Sequence, residues 1–213
     1  MGKKRVFIVV FGLVLITAAL FYWYNKPKAP ALFKPISAGE YDIVFGSANA
    51  SVQVFVFFDY FCSHCRKFFI DEYPKIEQEF INTNLLQLVL KPVFFSNQTP
   101  IVKAYKSAIC LNQYGKYHDM HQLLLVEPEA VFSPSFNELI EEYIQRNSMY
   151  AECMYAGAVD QYLDETRNLF IANRFKGTPT FVINDKVYKG YLSFSRFQQI
   201  IYNEYGNIPH ADK

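Results

Sequence analysis

The run Val52 to Phe58 (Val-Gln-Val-Phe-Val-Phe-Phe) is β-branched and aromatic with one polar position, a pattern that suits a strand buried on both faces. After the turn Asp59-Tyr60-Phe61 the period changes. Phe68, Phe69, Tyr73, Ile76 and Phe80 recur at helical spacing, which predicts a helix beginning near Cys62 and kinked at Pro74. Leu85 to Val93 reads as a second apolar strand. From Pro100 to about Arg174 the pattern is mostly helical. It is clearest in Val102 to Tyr114 and in Phe136 to Ile144, the latter behind Ser133 and Pro134 as start signals. Thr180 to Ile183 is a strand, Asn184-Asp185-Lys186 a turn and Val187 to Lys189 its hairpin partner. Ser193 is placed to cap a last helix over Phe194 to Tyr205. Strand and helix, a helical block, then hairpin and helix predict an α/β domain interrupted by an α-helical insert.

The chain starts differently. Met1 to Arg5 is basic, and Val6 to Tyr24 then runs 19 residues without a charge. At about 1.5 Å per residue such a helix nearly spans the roughly 30 Å hydrocarbon core of a membrane. Phe21, Tyr22, Trp23 and Tyr24 suit the far interface, and the leading Lys and Arg place everything after Asn25 outside. The rival reading is a signal peptide cleaved after Thr17-Ala18-Ala19, which leaves an awkward apolar start at Leu20. An uncleaved transmembrane anchor is preferred, and both readings imply export.

Lys26-Pro27-Lys28-Ala29-Pro30 is an extended linker, too short for a dimerisation stalk, so a monomer is expected. The expected organisation is 1–25 anchor or signal, 26–45 linker and first edge segment, 46–98 first part of the α/β domain, 99–174 helical insert, and 175–213 second part. With 51% apolar and 18% aromatic residues the chain is neither disordered nor collagen-like. Without Lys3, Lys4 and Arg5 it carries 18 basic against 20 acidic residues, so no basic field for nucleic acid is present.

The chemistry lies in the cysteines: Cys62, Cys65, Cys110 and Cys153. Cys62-Ser63-His64-Cys65 falls at a strand-to-helix junction, where unpaired backbone N–H groups carry partial positive charge and stabilise a thiolate. His64 adds a donor or a charge, and Arg66 and Lys67 add to the field. Such surroundings lower a cysteine pKa from about 8.5 to roughly 3.5–7.5. A stabilised thiolate means a stabilised reduced form, hence an oxidising disulfide.

Blander readings compete. A zinc site needs two further ligands, and His118 and His121 look more like part of a helix face, so no metal is expected. A purely structural Cys62–Cys65 disulfide recovers little chain entropy. His64 can be read as an exposed first-turn residue, and Ser63 as a spacer.

Phe57-Phe58-Asp59-Tyr60-Phe61-Cys62-Ser63-His64-Cys65-Arg66-Lys67 resembles the active-site segment of DsbA-like thiol:disulfide oxidoreductases of the bacterial envelope. Gly177-Thr178-Pro179-Thr180-Phe181 resembles their second signature, a loop holding a cis-proline. The resemblance covers about residues 40–210. It implies a thioredoxin fold with a helical insert, Cys62 as the exposed attacking thiolate, Cys65 as the buried resolving thiol, and Thr178-Pro179 packed opposite them. Two positions depart from the family pattern. Many relatives place a buried acid six residues before the first cysteine, where this chain has Val56. Asp59 can substitute in part, although a turn-forming role is the preferred reading. Thr178 before the proline occurs in oxidases and isomerases, with some lean towards isomerases, which counts against a pure oxidase.

Cys110 and Cys153 both fall in the insert. Joined, they close a loop of 44 residues, for which chain entropy gives about 4 kcal/mol, and export favours pairing; two separate buried thiols is the alternative. The expected function is an oxidoreductase that introduces disulfides into reduced exported polypeptides, with no bound cofactor. By the resemblance, a quinone-linked membrane protein reoxidises it. An isomerase or reductase of the same fold is the first alternative, and a CxxC metal-binding module the second.

Overall fold

The computed structural model describes residues 34–114 and 116–206, together with Gly2, Ile16 and Thr17. The chain divides into two units, Met1–Lys34 and Pro35–Lys213. In the first, Gly2, Ile16 and Thr17 have helical backbone, and the anchor expected over 6–24 otherwise lies outside the described residues. Among the described residues no helix is long and apolar enough to cross a membrane.

In the second unit the apolar run at 52–58 becomes the middle strand of a five-stranded sheet, which is why it tolerates burial on both faces. The strands are β1 (Ile43–Phe45), β2 (Val52–Phe58), β3 (Leu86–Pro92), β4 (Thr180–Ile183) and β5 (Lys186–Lys189), in the order β1-β3-β2-β4-β5. Only β2 and β3 run parallel, with Val52 opposite Leu86 and Phe58 opposite Pro92; the other pairs are antiparallel. Gly46, at φ +92°, ends β1 where an added Cβ would lie 2.5 Å from the Leu86 carbonyl oxygen, so only glycine fits. The β4–β5 turn is tighter than the sequence suggests. Asn184 and Asp185 alone take positive φ, 45° and 63°, and Lys186 already belongs to the strand.

Helix α1 covers residues 63–81 and connects β2 to β3. Pro74 has no N–H to donate, and the helix widens its register around it. Phe68–Glu72 and Glu77–Ile81 are π-helical, with Tyr73 N–H reaching Phe68 O and Asn82 N–H reaching Glu77 O. The insert resolves into α2 (Thr99–Asn112), α3 (Tyr117–Val126), a 3-10 turn (Pro128–Phe132), α4 (Pro134–Arg146), α5 (Ser148–Tyr155) and α6 (Gly157–Ala172). Helix α7 (Phe194–Gly206) closes the domain; Ser193 Oγ accepts from Arg196 N–H at its start.

Side chains alternate along β2. Val54, Val56 and Phe58 join the main core with Phe68 and Phe69 of α1 and Phe197 of α7. Phe57 points to the other face, against Phe170 of α6 and Phe175. The main core continues into the insert through Ala104, Tyr105, Ala108 and Leu124. A buried ion pair ties the edge to the insert as well: Lys91 of β3 donates to Asp42 Oδ2 at 2.6 Å, and Tyr162 of α6 donates to Asp42 Oδ1 at 2.6 Å. This is the fold expected from the sequence, a thioredoxin-like α/β domain carrying a helical insert between β3 and β4.

Candidate active site

Parallel strands β2 and β3 end at one edge of the sheet, and antiparallel β4 begins there, so the 59–65 and 177–180 segments meet. Cys62 is the residue before α1, extended at φ −80° and ψ 117°. No side-chain cap closes the helix there, which leaves its first N–H groups to stabilise charge. Cys62 is partly exposed; Cys65, one turn into the helix, is fully buried. Both are free thiols.

The two sulfurs sit in opposite environments. The Cys65 thiol donates toward Cys62 and is the largest cause of a Cys62 pKa lowered to about 4. Desolvation opposes this. The Thr178 side chain and the peptide N–H groups of Cys65 and His64 reinforce it. In its thiol form Cys62 Sγ also donates to the Thr178 carbonyl oxygen at 3.1 Å, a contact that favours the proton and is outweighed by the donors. Burial, with the bond to Cys62 second, pushes the Cys65 pKa far up.

The Thr178–Pro179 peptide is cis. Its loop is held by Gly190 N–H on the Pro179 carbonyl at 2.8 Å and by the Thr180 hydroxyl on the Gly177 carbonyl at 2.6 Å. Ser63 and His64 are exposed, so the group of His64 that acts on Cys62 is its peptide N–H.

Val56, six residues before Cys62, is completely buried and pairs with Phe181 and Leu90. Asp59 lies nearer the cysteines. Its carboxylate accepts from Phe61 N–H at 2.8 Å, a turn-forming bond, and its own N–H faces Cys65 Sγ at 3.5 Å. Burial raises its pKa, against the hydrogen bonds from Tyr105 and Phe61. The sequence did not reveal the tyrosines behind this turn. Tyr105 of α2 donates to Asp59 Oδ1 at 2.6 Å and accepts from Tyr60 N–H at 2.8 Å. The Tyr60 hydroxyl lies 2.8 Å from that of Tyr117 and 3.1 Å from His121 Nδ1.

His121 is thereby a buried core histidine, its pKa lowered by desolvation to about 3, while His118 is exposed. Among the described residues no group of three or more His, Cys, Asp or Glu side chains is arranged to hold a metal. In the insert, Cys110 of α2 and Cys153 of α5 form a disulfide. The insert reaches the rim of the site through Phe132, 44% exposed, whose ring centroid is 6.3 Å from that of Phe61.

A partly exposed cysteine at a helix start, a buried partner three residues on and a cis-proline loop opposite define a thioredoxin-type site, and the sequence profile of the thioredoxin family matches residues 38–203. The chain belongs to that family. Its relatives narrow the comparison. It is 25% identical over 174 residues to Disulfide bond formation protein D of Bacillus subtilis, covering 76% of each chain. It is 23% identical over 166 residues to a Rickettsia bellii protein named as a protein-disulfide oxidoreductase; the match covers 75% of this chain and 63% of that relative's length. The crystal structure of alpha-DsbA1 from Wolbachia pipientis superimposes with a TM-score of 0.65 at 17% identity, over 80% of this chain and 94% of that one. The fold is therefore that of DsbA-like proteins.

Proposed function

We propose that this protein is a thiol:disulfide oxidoreductase that introduces disulfides into reduced exported polypeptides. Cys62 and Cys65 are its redox pair, Thr178, Pro179, Ser63 and His64 support them, and Cys110–Cys153 is structural. The observation that carries this reading is the inequality of the two thiols: a partly exposed Cys62 whose pKa is lowered to about 4 beside a fully buried Cys65. A thiolate this stable stabilises the reduced pair, so the disulfide is the form that reacts onward.

In the oxidised protein a substrate thiolate attacks Cys62 Sγ. The Cys62–Cys65 bond breaks, and its electron pair leaves on Cys65, which takes up a proton. A second substrate thiolate then attacks the substrate sulfur of the mixed disulfide and expels Cys62 as its stable thiolate. The substrate loses two electrons and the pair gains them, and no bound cofactor is needed. A quinone-linked membrane protein is the proposed reoxidant. Phe61 and Phe132 supply an apolar rim suited to unfolded polypeptide.

The site works on the extracytoplasmic side, held by a membrane anchor over 6–24. The basic start, the uncharged run and the Cys110–Cys153 disulfide, a bond that persists in oxidising compartments, support that placement. The working divisions are 26–45 linker and edge, 46–98 and 175–213 thioredoxin domain, and 99–174 insert.

Alkylation trapping of the protein in intact cells tests the direction of transfer. Cys62 and Cys65 should be mostly oxidised; a mostly reduced pair would instead mark an isomerase or reductase.

A further inference from the structure

Every backbone donor of the turn before Cys62 has an acceptor, and two of these come from outside the turn. Asp59 N–H faces Cys65 Sγ, Phe61 N–H is taken by Asp59 Oδ1, and Cys62 N–H by the Asp59 carbonyl. Tyr60 N–H is taken by the Tyr105 hydroxyl, which itself donates to Asp59 Oδ1. Tyr105 is 1% exposed and belongs to the helical insert. Its ring is stacked on Phe94 at 4.4 Å and packed on Tyr60 at 5.2 Å, so the hydroxyl has one place to be. A single buried oxygen thus holds both the Tyr60 N–H and the carboxylate of Asp59, the residue whose own N–H meets Cys65.

We propose that Tyr105 is a positioning residue for the redox pair: by bracing the 59–61 turn it keeps Asp59 N–H directed at Cys65 Sγ, where it stabilises the charge that arrives when the disulfide opens. This builds on the function proposed above. When an attacking thiolate bonds to Cys62, the electron pair of the broken S–S bond goes to Cys65, a sulfur in apolar surroundings. An N–H held on that sulfur assists its departure. The insert thereby acts on the leaving group without touching substrate. Asp59 serves this arrangement as a hydrogen-bond acceptor rather than as a proton carrier.

The test is the rate at which dithiothreitol reduces the Cys62–Cys65 disulfide of the full chain, followed by quenched alkylation. This reagent reads the leaving-group step whether or not the protein oxidises polypeptides, and oxidation of a dithiol peptide by the wild type is measured separately. Failure of the peptide reaction counts against the proposed function; failure of the Tyr105 effect counts against the inference. Tyr105→Phe keeps the ring packing and removes the brace, and reduction should slow about fivefold, the worth of roughly one hydrogen bond.

Tyr150→Phe is the control. It removes another buried hydroxyl of the insert, paired with Ser107 Oγ at 2.7 Å, and should lower the melting temperature with no change in rate. An unchanged rate in folded Tyr105→Phe, or equal slowing in both variants, overturns the proposal. Should Tyr105→Phe fail to fold, position 59 still decides. Asp59→Asn retains an acceptor oxygen for Phe61 N–H and the Tyr105 hydroxyl, so it should recover most of the rate lost in Asp59→Ala. Asparagine as slow as alanine would mean that the charge matters and the brace does not.

Discussion

The molecule contains two cysteine pairs that differ in almost everything except the element. Cys62 and Cys65 are three residues apart at a sheet edge, one partly exposed and one buried, with hydrogen-bond donors gathered on the exposed sulfur. Cys110 and Cys153 are 43 residues apart, on two helices of the insert, already joined, with Cys110 fully buried. Closing the first pair constrains very little chain, so its bond is cheap to open, and its thiolate has been made comfortable. Closing the second constrains 44 residues of the unfolded chain, and opening it would leave a Cys110 thiolate without water. The environment, not the cysteine, separates a bond for exchange from a bond for stability.

The largest effects should divide along that line. Cys62→Ser should abolish disulfide exchange, because no other free thiol among the described residues reaches the surface. Cys110→Ser combined with Cys153→Ser should leave exchange intact at low temperature while lowering unfolding stability by about 4 kcal/mol, the chain-entropy value of the loop. Denaturant titration and peptide oxidation on the same samples measure the two outcomes. Exchange lost in the double serine variant, at a temperature where circular dichroism shows a folded protein, would end the division of labour.

A smaller effect uses pH. The Cys62 pKa lies near 4 in the folded reduced protein against 9.0 for an ordinary thiol. A depressed pKa stabilises the folded form fully above the ordinary value, and that stabilisation is lost as pH falls through the folded one. The melting temperature of the reduced protein should therefore drop relative to the oxidised protein between about pH 9 and pH 4, and the pH-dependent part of the difference should be gone below 4. Cys65 does not cancel this, since its raised pKa keeps it protonated throughout the window. Cys110 and Cys153 titrate nothing, so their serine variant should show the same pH dependence. A redox difference in melting that is flat from pH 9 to 4 would mean that Cys62 is no stabilised thiolate.

Much of this arrangement could be read along the chain because it is local. Seven nearly uniform apolar residues leave few options but a central strand, and Cys-Ser-His-Cys directly after it fixes a thiol at a helix start. What escaped depends on distant partners. β1 falls at the end of the edge segment expected over 26–45, but at three residues, one of them buried, it is too short for periodicity to fix its bounds. Pro74 announced a disturbance, but whether a helix bends or widens its register depends on what packs around it. Along the chain Tyr60 is a turn residue and His121 part of a helix face, and nothing marks Tyr105 or Tyr117. That their hydroxyls and ring nitrogen converge beneath the active-site turn follows only from the docking of α2 and α3 on the sheet. Asp59 is legible as a turn former able to stand in part for the acid absent at Val56, but its bond to Tyr105 is not.

The smallest expected effect concerns His64, the residue between the cysteines that looks most able to tune them. Its imidazole is exposed, and its action on Cys62 comes through the peptide N–H, which any side chain but proline preserves. The other donors, the Cys65 thiol, the Cys65 N–H and the Thr178 side chain, are untouched by a change at position 64. What His64→Ala removes is an imidazole that faces water, where any field it exerts on the sulfur is screened. The Cys62 pKa should therefore rise by less than about one unit. One unit is about 1.36 kcal/mol of thiolate stabilisation, and for a two-electron couple about 1.4 kcal/mol is 30 mV, so the potential should fall by less than roughly 30 mV. Thiolate absorbance against pH gives the first quantity and equilibrium with glutathione the second. A rise of two units or more would mean that the imidazole turns onto the sulfur in solution, and the stability of the Cys62 thiolate would then belong to a side chain rather than to the backbone and Cys65.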